Sequence, residues 1–246
     1  MNIRQSINAQ QYHKYSEPSV DNASNIIQLQ IFNSLETTGK RLFDILFSVF
    51  MLFMFMLILP IIAIAIKIDS KGSIFYSQTR TGLNRRRQHT GNSINRRSLV
   101  YPGRQFKVFK LRTMKTDAEE NGPVWATEND NRITRVGLLL RKSRLDEFPQ
   151  FYNVLKGDMS TIGPRPERLC FIRQLESDIP EYNDRLLVLP GITGLAQVLN
   201  GYDTDLESVR KKVALDKHYI RNYSIFMDLK ILVMTVWVVI TGRGAN

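Results

Sequence analysis

Two adjacent carboxylates, Asp146 and Glu147, lie in a stretch of the sequence that is otherwise rich in cations. Neighbouring carboxylates repel each other unless a cation lies between them. Mg²⁺ commonly binds one or two protein carboxylates together with the phosphate oxygens of a substrate. Basic residues surround the pair on both sides, namely Arg141, Lys142, Arg144, Lys156, Arg165 and Arg168. The pattern therefore indicates a divalent-metal site that acts on a phosphorylated substrate.

The local sequence also predicts how this pair is presented. Pro149 is tolerated only in the first turn of a helix, so we expect a helix that begins near Leu145 or Asp146. Its apolar side would consist of Phe148, Phe151, Tyr152 and Leu155. Gly157 would end the helix. Capping of this helix is the alternative role for Asp146, but the adjacent Glu147 favours the metal site.

A second feature is the stiff loop Gly163-Pro164-Arg165-Pro166. Two prolines restrict the backbone on either side of Arg165, so its guanidinium group would lose little entropy on binding. A preorganised arginine matches a phosphate group bidentately. A solvated turn is the alternative for this loop taken alone. Beside the acidic pair and the other cations, the loop favours phosphoryl chemistry.

These segments resemble the bacterial sugar transferases, the monotopic polyprenyl-phosphate phosphoglycosyl transferases. The resemblance extends from about Lys40 to the C-terminus and consists of several ordered blocks. The central blocks are Leu145-Asp146-Glu147-Phe148-Pro149-Gln150, Asn153-Val154-Leu155-Lys156-Gly157-Asp158-Met159-Ser160 and Gly163-Pro164-Arg165-Pro166. The outer blocks are Lys110-Leu111-Arg112-Thr113-Met114 and residues 130–134, 190–197 and 228–232.

The resemblance implies transfer of a sugar-1-phosphate from a UDP-sugar to polyprenyl (undecaprenyl) phosphate, with release of UMP, as the first membrane step of surface glycan assembly. Asp146 is then expected to be the nucleophile and to form an aspartyl-phosphosugar intermediate. Asp146 and Glu147 are expected to bind Mg²⁺. Arg141 and Arg165 are expected to neutralise phosphate oxygens in the transition state. Further candidates for substrate binding are Lys110, Arg112 and Asp216.

Composition narrows the class of protein. The chain has 246 residues, 43% of them hydrophobic, and a formal net charge of +11. This charge favours a polyanionic partner, such as phosphorylated substrates, an anionic membrane or nucleic acid. A membrane-anchored basic protein that binds nucleic acid or scaffolds a complex is the non-enzymatic alternative. Because few aromatic residues accompany the basic ones, we expect no nucleic-acid partner. The single cysteine excludes an internal disulfide framework.

Residues 37–69 contain the dominant apolar run, which has no charged residue from Ile45 to Ile66. This length predicts a membrane helix, and Pro60 is expected to break it. Basic flanks favour the cytoplasmic side, and the family resemblance implies a re-entrant helix. We therefore expect both ends at the cytoplasmic face of the bacterial inner membrane, with a tilted full span as the alternative. Residues 1–36 are polar and are expected to form a disordered tail.

Residues 70–246 are expected to form a cytoplasmic catalytic domain of the α/β class in which helices dominate. A small sheet would be surrounded by amphipathic and interfacial helices that contact membrane lipids. The predicted strands are residues 74–76, 106–109 and 186–189, and the predicted C-terminal helices are residues 206–223 and 225–240.

Two further expectations concern the basic part of this domain. Residues 85–104 form a polar, basic insertion between the first two predicted strands. We expect it to lie beside anionic headgroups, and it could serve a homodimer contact. Lys110 and Arg112 are two residues apart, so on a strand their side chains would face the same side and could share a phosphate. Ordinary surface charges are the alternative for these two residues.

Overall fold

The computed structural model describes residues 34–84, 102–120, 122, 130–200 and 205–241. Helices dominate this part of the chain, and two small two-stranded sheets accompany them. The expectation of a helix-dominant fold with little sheet is therefore confirmed. The predicted tail, up to residue 33, and residues 85–101 of the basic insertion lie outside the described residues.

Helix α1, Ser34–Asp69, is the longest element, with 36 residues. Its segment Thr38–Asp69 is long and apolar enough to cross a membrane. The most apolar 18-residue stretch of this segment has a mean hydropathy of 3.0, and 11% of that stretch is buried. The helix continues through Pro60, so the expected break at this residue is not confirmed. A proline removes one backbone hydrogen bond, but the remaining bonds of so long a helix can hold its neighbours helical.

Both ends of α1 contact the rest of the domain. Near the N-terminal end, the Lys40 ammonium group lies 2.6 Å from Asp228 Oδ2, and Asp44 Oδ1 accepts a hydrogen bond from the Thr161 amide at 2.9 Å. At the other end, Asp69 Oδ2 accepts a hydrogen bond from the Val136 amide at 2.9 Å. Between these ends, one narrow stripe of the helix is buried at helical spacing: Asp44, Ser48, Phe55, Ile62 and Ile66. The helix therefore packs on the domain along its length.

Two strand pairs form the sheets. Strands β1 (Phe75–Thr81) and β2 (Gln105–Leu111) pair antiparallel and overlap the strands predicted at residues 74–76 and 106–109. Strands β3 (Ser160–Ile162) and β4 (Gly191–Thr193) pair in parallel, with Ser160 opposite Gly191. The first two predicted strands are thus confirmed, whereas the parallel pair is an addition that the sequence pattern did not indicate.

The acidic pair lies between two short helices. Helix α2 (Arg135–Lys142) is followed by a 3₁₀ turn (Leu145–Glu147) and then by helix α3 (Gln150–Lys156). Gly157 ends α3 in the left-handed conformation, with φ 76°, as predicted. The predicted apolar side of α3 is partly wrong, because Tyr152 is half-exposed and Asn153 is buried in its place. Asn153 holds α3 on β2, where it accepts a hydrogen bond from the Phe109 amide at 3.1 Å.

The C-terminal half adds five helical elements. They are α4 (Leu169–Asp178), a 3₁₀ helix (Pro180–Leu187), α5 (Leu195–Leu199), α6 (Leu206–Arg221) and α7 (Ile225–Thr241). The strand predicted at residues 186–189 is wrong, because the 3₁₀ helix that begins at Pro180 extends to Leu187. Helix α6 is amphipathic as predicted and buries Val209 and Val213. Helix α7 exposes a row of large apolar side chains: Ile225, Phe226, Leu229, Val233, Val236, Trp237 and Ile240.

Candidate active site

Glu147 is the carboxylate that the cations neutralise. It accepts hydrogen bonds from Arg165, at 2.6 Å (Nη2 to Oε1) and 3.3 Å (Nη1 to Oε2). The Lys110 ammonium group, on β2, donates to Oε1 at 3.0 Å. Burial alone would raise the pKa of Glu147, but Arg165 and Lys110 outweigh burial and hold this pKa well below its ordinary value. Glu147 is therefore ionised and bound on both oxygens.

Asp146 lies beside this ion pair, but no hydrogen-bond donor among the described residues binds its carboxylate group. The residue is 7% exposed. Burial, followed by the negative charge of Glu147, raises the pKa of Asp146 to about 6, although Lys110, Arg141 and Arg165 oppose the shift. A buried carboxylate with a raised pKa beside several cations is a candidate catalytic group.

The backbone that presents the pair is strained. Arg144 has φ 58° and ψ 12°, in the left-handed region, where a residue with a side chain loses about 1–2 kcal/mol relative to the right-handed conformation. Among the described residues, all others with positive φ are glycines. The turn at Arg144 redirects the chain after α2, and both carboxylates of the following 3₁₀ turn are buried. Strain of this kind is common where a chain positions functional groups.

The structure does not support the capping alternative for Asp146. Helix α3 begins at Gln150 with Pro149 at its capping position, and no side chain accepts a hydrogen bond there. Phe148, which follows the acidic pair, packs instead against Phe55 of α1, with ring centroids 5.6 Å apart. The apolar helix α1 thus supports the segment that carries the carboxylates.

Three of the predicted cations converge on the pair. Lys110 and Arg165 bind Glu147, as described above. Arg141, at the end of α2, donates from Nε to Thr113 Oγ1 at 3.0 Å, and its charge lowers the pKa of Asp146. The backbone of the Arg165 loop is also fixed, because Arg185 Nη2 donates a hydrogen bond to the Arg165 carbonyl oxygen at 3.0 Å.

Arg112 does not join this site. It follows the last residue of β2, and its guanidinium group donates to the carbonyl oxygens of Ser70, at 2.8 Å, and of Lys71. Those carbonyl groups lie just after the C-terminal end of α1, where unpaired backbone oxygens attract a cation. The structure therefore does not bring Arg112 together with Lys110 at Glu147, and Arg112 instead secures the chain after α1.

Asp216, on α6, is almost fully buried in the domain. Its Oδ2 accepts a hydrogen bond from Arg185 Nε at 2.6 Å, and both side chains are almost fully buried. Arg185 also donates a hydrogen bond to the Arg165 carbonyl oxygen, so Asp216 positions the loop of Arg165 indirectly, through Arg185. Its expected role in substrate binding stays a prediction.

Sequence reasoning missed a group of charges next to this loop, which we call the buried ionic cluster. Its members are Arg80, Glu167, Arg185, Lys212 and Asp216. Glu167 accepts a hydrogen bond from Lys212 at 3.0 Å and one from Arg80 at 3.1 Å. Burial would raise the pKa of Glu167, but Lys212 and Arg80 lower it to about 2. These residues come from four separate segments, so their spacing in the sequence carries no signal of the cluster.

The carboxylate oxygens of this site are the ligand type that Mg²⁺ prefers, and Mg²⁺ binding here stays a prediction. In the described ranges, no group of three or more histidine, cysteine, aspartate or glutamate side chains could hold a metal ion. Mg²⁺ needs only one or two carboxylates when substrate phosphates supply other ligands. The Asp146 oxygens have no hydrogen-bond donor among the described residues, whereas both Glu147 oxygens are bound by cations. Asp146 is therefore the more available ligand of the two.

These features define a membrane-associated, helix-dominant protein whose buried carboxylate site suits phosphorylated ligands. The chain belongs to the bacterial sugar transferase family, whose model matches residues 35–242. The family assignment that the sequence motifs suggested is therefore confirmed.

Several curated proteins are similar to this chain. An Aeromonas hydrophila UDP-N-acetylgalactosamine-undecaprenyl-phosphate N-acetylgalactosaminephosphotransferase is 41% identical over 84% of this chain and 45% of its own length. A Klebsiella pneumoniae UDP-glucose:undecaprenyl-phosphate glucose-1-phosphate transferase is 41% identical over 83% of this chain and 41% of its own length. The Rhizobium leguminosarum exopolysaccharide production protein PSS is 37% identical over 83% of this chain and 97% of its own length. The chain thus spans less than half the length of the first two relatives.

Proposed function

We propose that this protein transfers a sugar-1-phosphate from a UDP-sugar to undecaprenyl phosphate and releases UMP. The names of the Aeromonas and Klebsiella relatives support the reaction type and both substrates. The observation that carries the proposal is the asymmetry of the acidic pair: Glu147 is bound by two cations, whereas Asp146 is buried beside it with no hydrogen-bond donor in the described part of the chain. Such a carboxylate is available to react.

In the first step, an Asp146 carboxylate oxygen attacks the phosphorus atom that bears the sugar. A bond forms between this oxygen and phosphorus, and the bond from the same phosphorus to the bridging oxygen of the diphosphate breaks. UMP leaves with the bridging oxygen and its electron pair. The product on the protein is an aspartyl-phosphosugar.

In the second step, a phosphate oxygen of undecaprenyl phosphate attacks the same phosphorus atom. The bond to Asp146 breaks, and the carboxylate is restored. The lipid then carries a new diphosphate linked to the sugar. This would be the first membrane step of surface polysaccharide or other glycan assembly, and the Rhizobium relative's name points to exopolysaccharide.

The charge arrangement suits both steps. With a pKa of about 6, Asp146 is roughly 90% ionised at neutral pH and is more basic than an ordinary aspartate. Lys110, Arg141 and Arg165 bring positive charge to a buried site, where it stabilises phosphate oxygens more strongly than in water. Arg185 and Asp216 hold the Arg165 loop so that its guanidinium group keeps its position.

A bound Mg²⁺ would neutralise diphosphate oxygens in this site. Asp146 and Glu147 would hold it, together with the substrate, and Asp146 has the freer oxygens. The cation would also offset the repulsion that Glu147 exerts on Asp146.

The lipid substrate requires a site at the membrane surface, and we propose a re-entrant α1 with both ends at the cytoplasmic face. A helix of 36 residues is about 54 Å long and could also cross a hydrocarbon core of about 30 Å, so the contacts of its ends, and not its length, carry this proposal. Near one end Asp44 and near the other end Asp69 accept hydrogen bonds from amides of the same domain. A full span would place these ends on opposite sides of the bilayer, so the contacts favour one side.

The covalent step is tested by isotope exchange without the lipid. Wild-type protein, UDP-sugar and labelled UMP should yield labelled UDP-sugar, because the first step is reversible and needs no acceptor. Mass spectrometry of the rapidly quenched protein should find the sugar phosphate on the peptide that contains Asp146. Exchange that requires undecaprenyl phosphate would contradict a covalent intermediate and favour direct transfer.

The membrane arrangement is tested separately with reporter fusions. A reporter attached before residue 1 and another attached after residue 246 should both be active only in the cytoplasm. A reporter at residue 1 that is active outside the inner membrane would contradict the re-entrant arrangement and support the tilted span.

A further inference from the structure

A polar group without an assigned role lies beside the carboxylate site, and we call it the Glu119 cluster. Its members are Tyr76, Gln78, Glu119 and Arg168. Arg168 Nη1 donates to Glu119 Oε1 at 2.8 Å. The other contacts of Glu119 are long: Tyr76 Oη donates to Oε2 at 3.4 Å, and Gln78 Nε2 donates to Oε1 at 3.4 Å.

The register of the hairpin places this cluster next to the candidate active site. Tyr76 on β1 lies directly opposite Lys110 on β2, and directly opposite residues of an antiparallel pair point to the same face. Lys110 in turn binds Glu147 at 3.0 Å. Gln78 follows Tyr76 on the same face and donates to its hydroxyl oxygen at 3.1 Å. A substrate bound at Asp146 therefore has the Glu119 cluster within reach of its non-reacting parts.

The cluster is open to a ligand. The Glu119 side chain is 33% exposed and Tyr76 is 41% exposed, so both are accessible beside a buried site. Two of the three hydrogen bonds to Glu119 lie near the upper distance limit, where they contribute little. A ligand hydroxyl group that donates to Glu119 would replace weak contacts with a charge-assisted hydrogen bond of ordinary length.

The chemistry of the cluster differs from that of the phosphate-binding cations. The carboxylate group of Glu119, at the centre of the cluster, would repel a phosphate group. A carboxylate group can accept two hydrogen bonds from neighbouring hydroxyl groups, one on each oxygen. The amide of Gln78 can both donate and accept, and the Tyr76 ring offers an apolar face. Neighbouring hydroxyl groups on a sugar ring match this combination, as they do where an acidic residue binds the ribose of a dinucleotide.

We propose that the Glu119 cluster binds a pair of neighbouring hydroxyl groups of the UDP-sugar, with Glu119 as the acceptor and Tyr76 and Gln78 beside it. The inference rests on the proposed function. The hydroxyl pair belongs either to the ribose of uridine or to the transferred sugar, because both carry this chemistry. The cluster is then a specificity-determining subsite next to the reacting phosphate.

Substrate ratios test this subsite. Steady-state kcat/KM is measured with UDP-glucose, its epimer UDP-galactose, UDP-N-acetylgalactosamine and 2′-deoxy-UDP-glucose, for the wild type and for Glu119→Gln. If Glu119 holds the ribose, the wild type should prefer UDP-glucose over its 2′-deoxy analogue about 10-fold or more, and Glu119→Gln should reduce this ratio to about 2-fold or less. If Glu119 instead holds the transferred sugar, Glu119→Gln should reduce the wild-type ratio of kcat/KM between UDP-glucose and the other two UDP-sugars by a similar factor.

Two further variants keep the test decisive. Glu120→Gln removes the same charge from the neighbouring exposed residue and should keep both ratios at wild-type values. Tyr76→Phe keeps the ring, removes the hydroxyl group and should lower the affected ratio about 3-fold, even if Glu119→Gln folds poorly. Wild-type transfer with ratios that neither Glu119→Gln nor Tyr76→Phe changes would overturn the subsite alone. A wild type that releases no UMP from any UDP-sugar would overturn the proposed function and the subsite with it.

Discussion

The carboxylate site and the buried ionic cluster use the same kinds of side chain but pair them differently. In the cluster, every carboxylate has a cation: Glu167 binds Lys212 at 3.0 Å, and Asp216 binds Arg185 at 2.6 Å. In the carboxylate site, Glu147 is bound in the same way, whereas Asp146 has no hydrogen-bond donor among the described residues. Both regions are buried, so burial alone does not distinguish them.

The pKa values follow the pairing rather than the burial. Lys212 and Arg80 lower the pKa of Glu167 to about 2 against the effect of burial. Burial and the charge of Glu147 raise the pKa of Asp146 to about 6. A matched carboxylate stabilises the fold, whereas an unmatched one is kept reactive at the expense of stability. The comparison therefore separates supporting charges from a reacting one.

Replacement of Asp146 should have the largest effect on turnover. We expect Asp146→Asn to lower UMP release at least about 1,000-fold, because an amide cannot act as the nucleophile. The melting temperature should stay the same or rise, because the variant removes a buried charge that Glu147 repels. UMP release is measured with Mg²⁺ and the melting temperature without divalent cations, both on the same detergent-solubilised preparation at neutral pH.

The control for this variant is Asp178→Asn, which removes an equal charge from an exposed position at the end of α4. It should retain wild-type turnover. Asp146→Asn protein that keeps more than a few per cent of the activity would argue against covalent catalysis at this residue.

Matched glutamine variants of the two glutamates give the next largest effects. Glu147→Gln should lower turnover by about 100-fold, because Lys110 and Arg165 would then bind Asp146 and make it less nucleophilic. Its stability should change less, since Asp146 supplies the missing negative charge. Glu167→Gln should do the reverse: about 3 kcal/mol of stability is lost because Lys212 and Arg80 lose the buried carboxylate that they share, while the folded protein retains most of its turnover.

Turnover per folded molecule and thermal stability are measured for both variants. The fraction of folded protein is determined by circular dichroism, or by a conformation-specific antibody that binds outside the active site. Equal losses of turnover and stability in the two variants would contradict the distinction between the site and the cluster.

The sequence predicted the carboxylate site better than its surroundings. Asp146, Glu147 and Arg165 are close in the chain and belong to the recognised motifs. Their proximity in the structure therefore follows from local structure. Lys110 was also nominated, through the family resemblance, and the structure places it on β2. Long apolar runs such as α1 were equally clear.

The remaining parts depend on contacts between distant segments. Arg80 reaches Glu167 across 87 positions, and Lys212 reaches it across 45. The contact of Arg112 with the carbonyl oxygen of Ser70 could not be predicted, because spacing on a strand gives the direction of a side chain but not its partner in a distant segment. The pair of β3 and β4 is three residues long on each side and parallel, so its residues carry too short a pattern to indicate strands.

The pH dependence of the two regions gives the smallest effect and the finest test. Single-turnover UMP release from UDP-sugar, without lipid, avoids the titration of a phosphate monoester substrate. The rate should be constant above about pH 7 and fall about tenfold per unit well below the pKa of about 6, as Asp146 becomes protonated. In Glu147→Gln the midpoint should move to lower pH, because the charge that raises the pKa of Asp146 is gone.

Stability should respond to pH with the opposite sign in the two regions. Glu167 has a folded-state pKa of about 2, below its ordinary value of 4.5, so it stabilises the fold above that ordinary value and loses this contribution as the pH falls toward 2. Asp146 has a raised pKa, so its ionisation removes stability as the pH rises from about 4 to 6. Between the pKa of Glu167, about 2, and that of Asp146, about 6, the protein should stay folded while the chemical step is lost. The Asp146→Asn variant should be more stable than the wild type only near the upper end of this pH range. Loss of turnover and loss of circular dichroism at the same pH would show instead that unfolding, and not protonation of Asp146, ends the reaction.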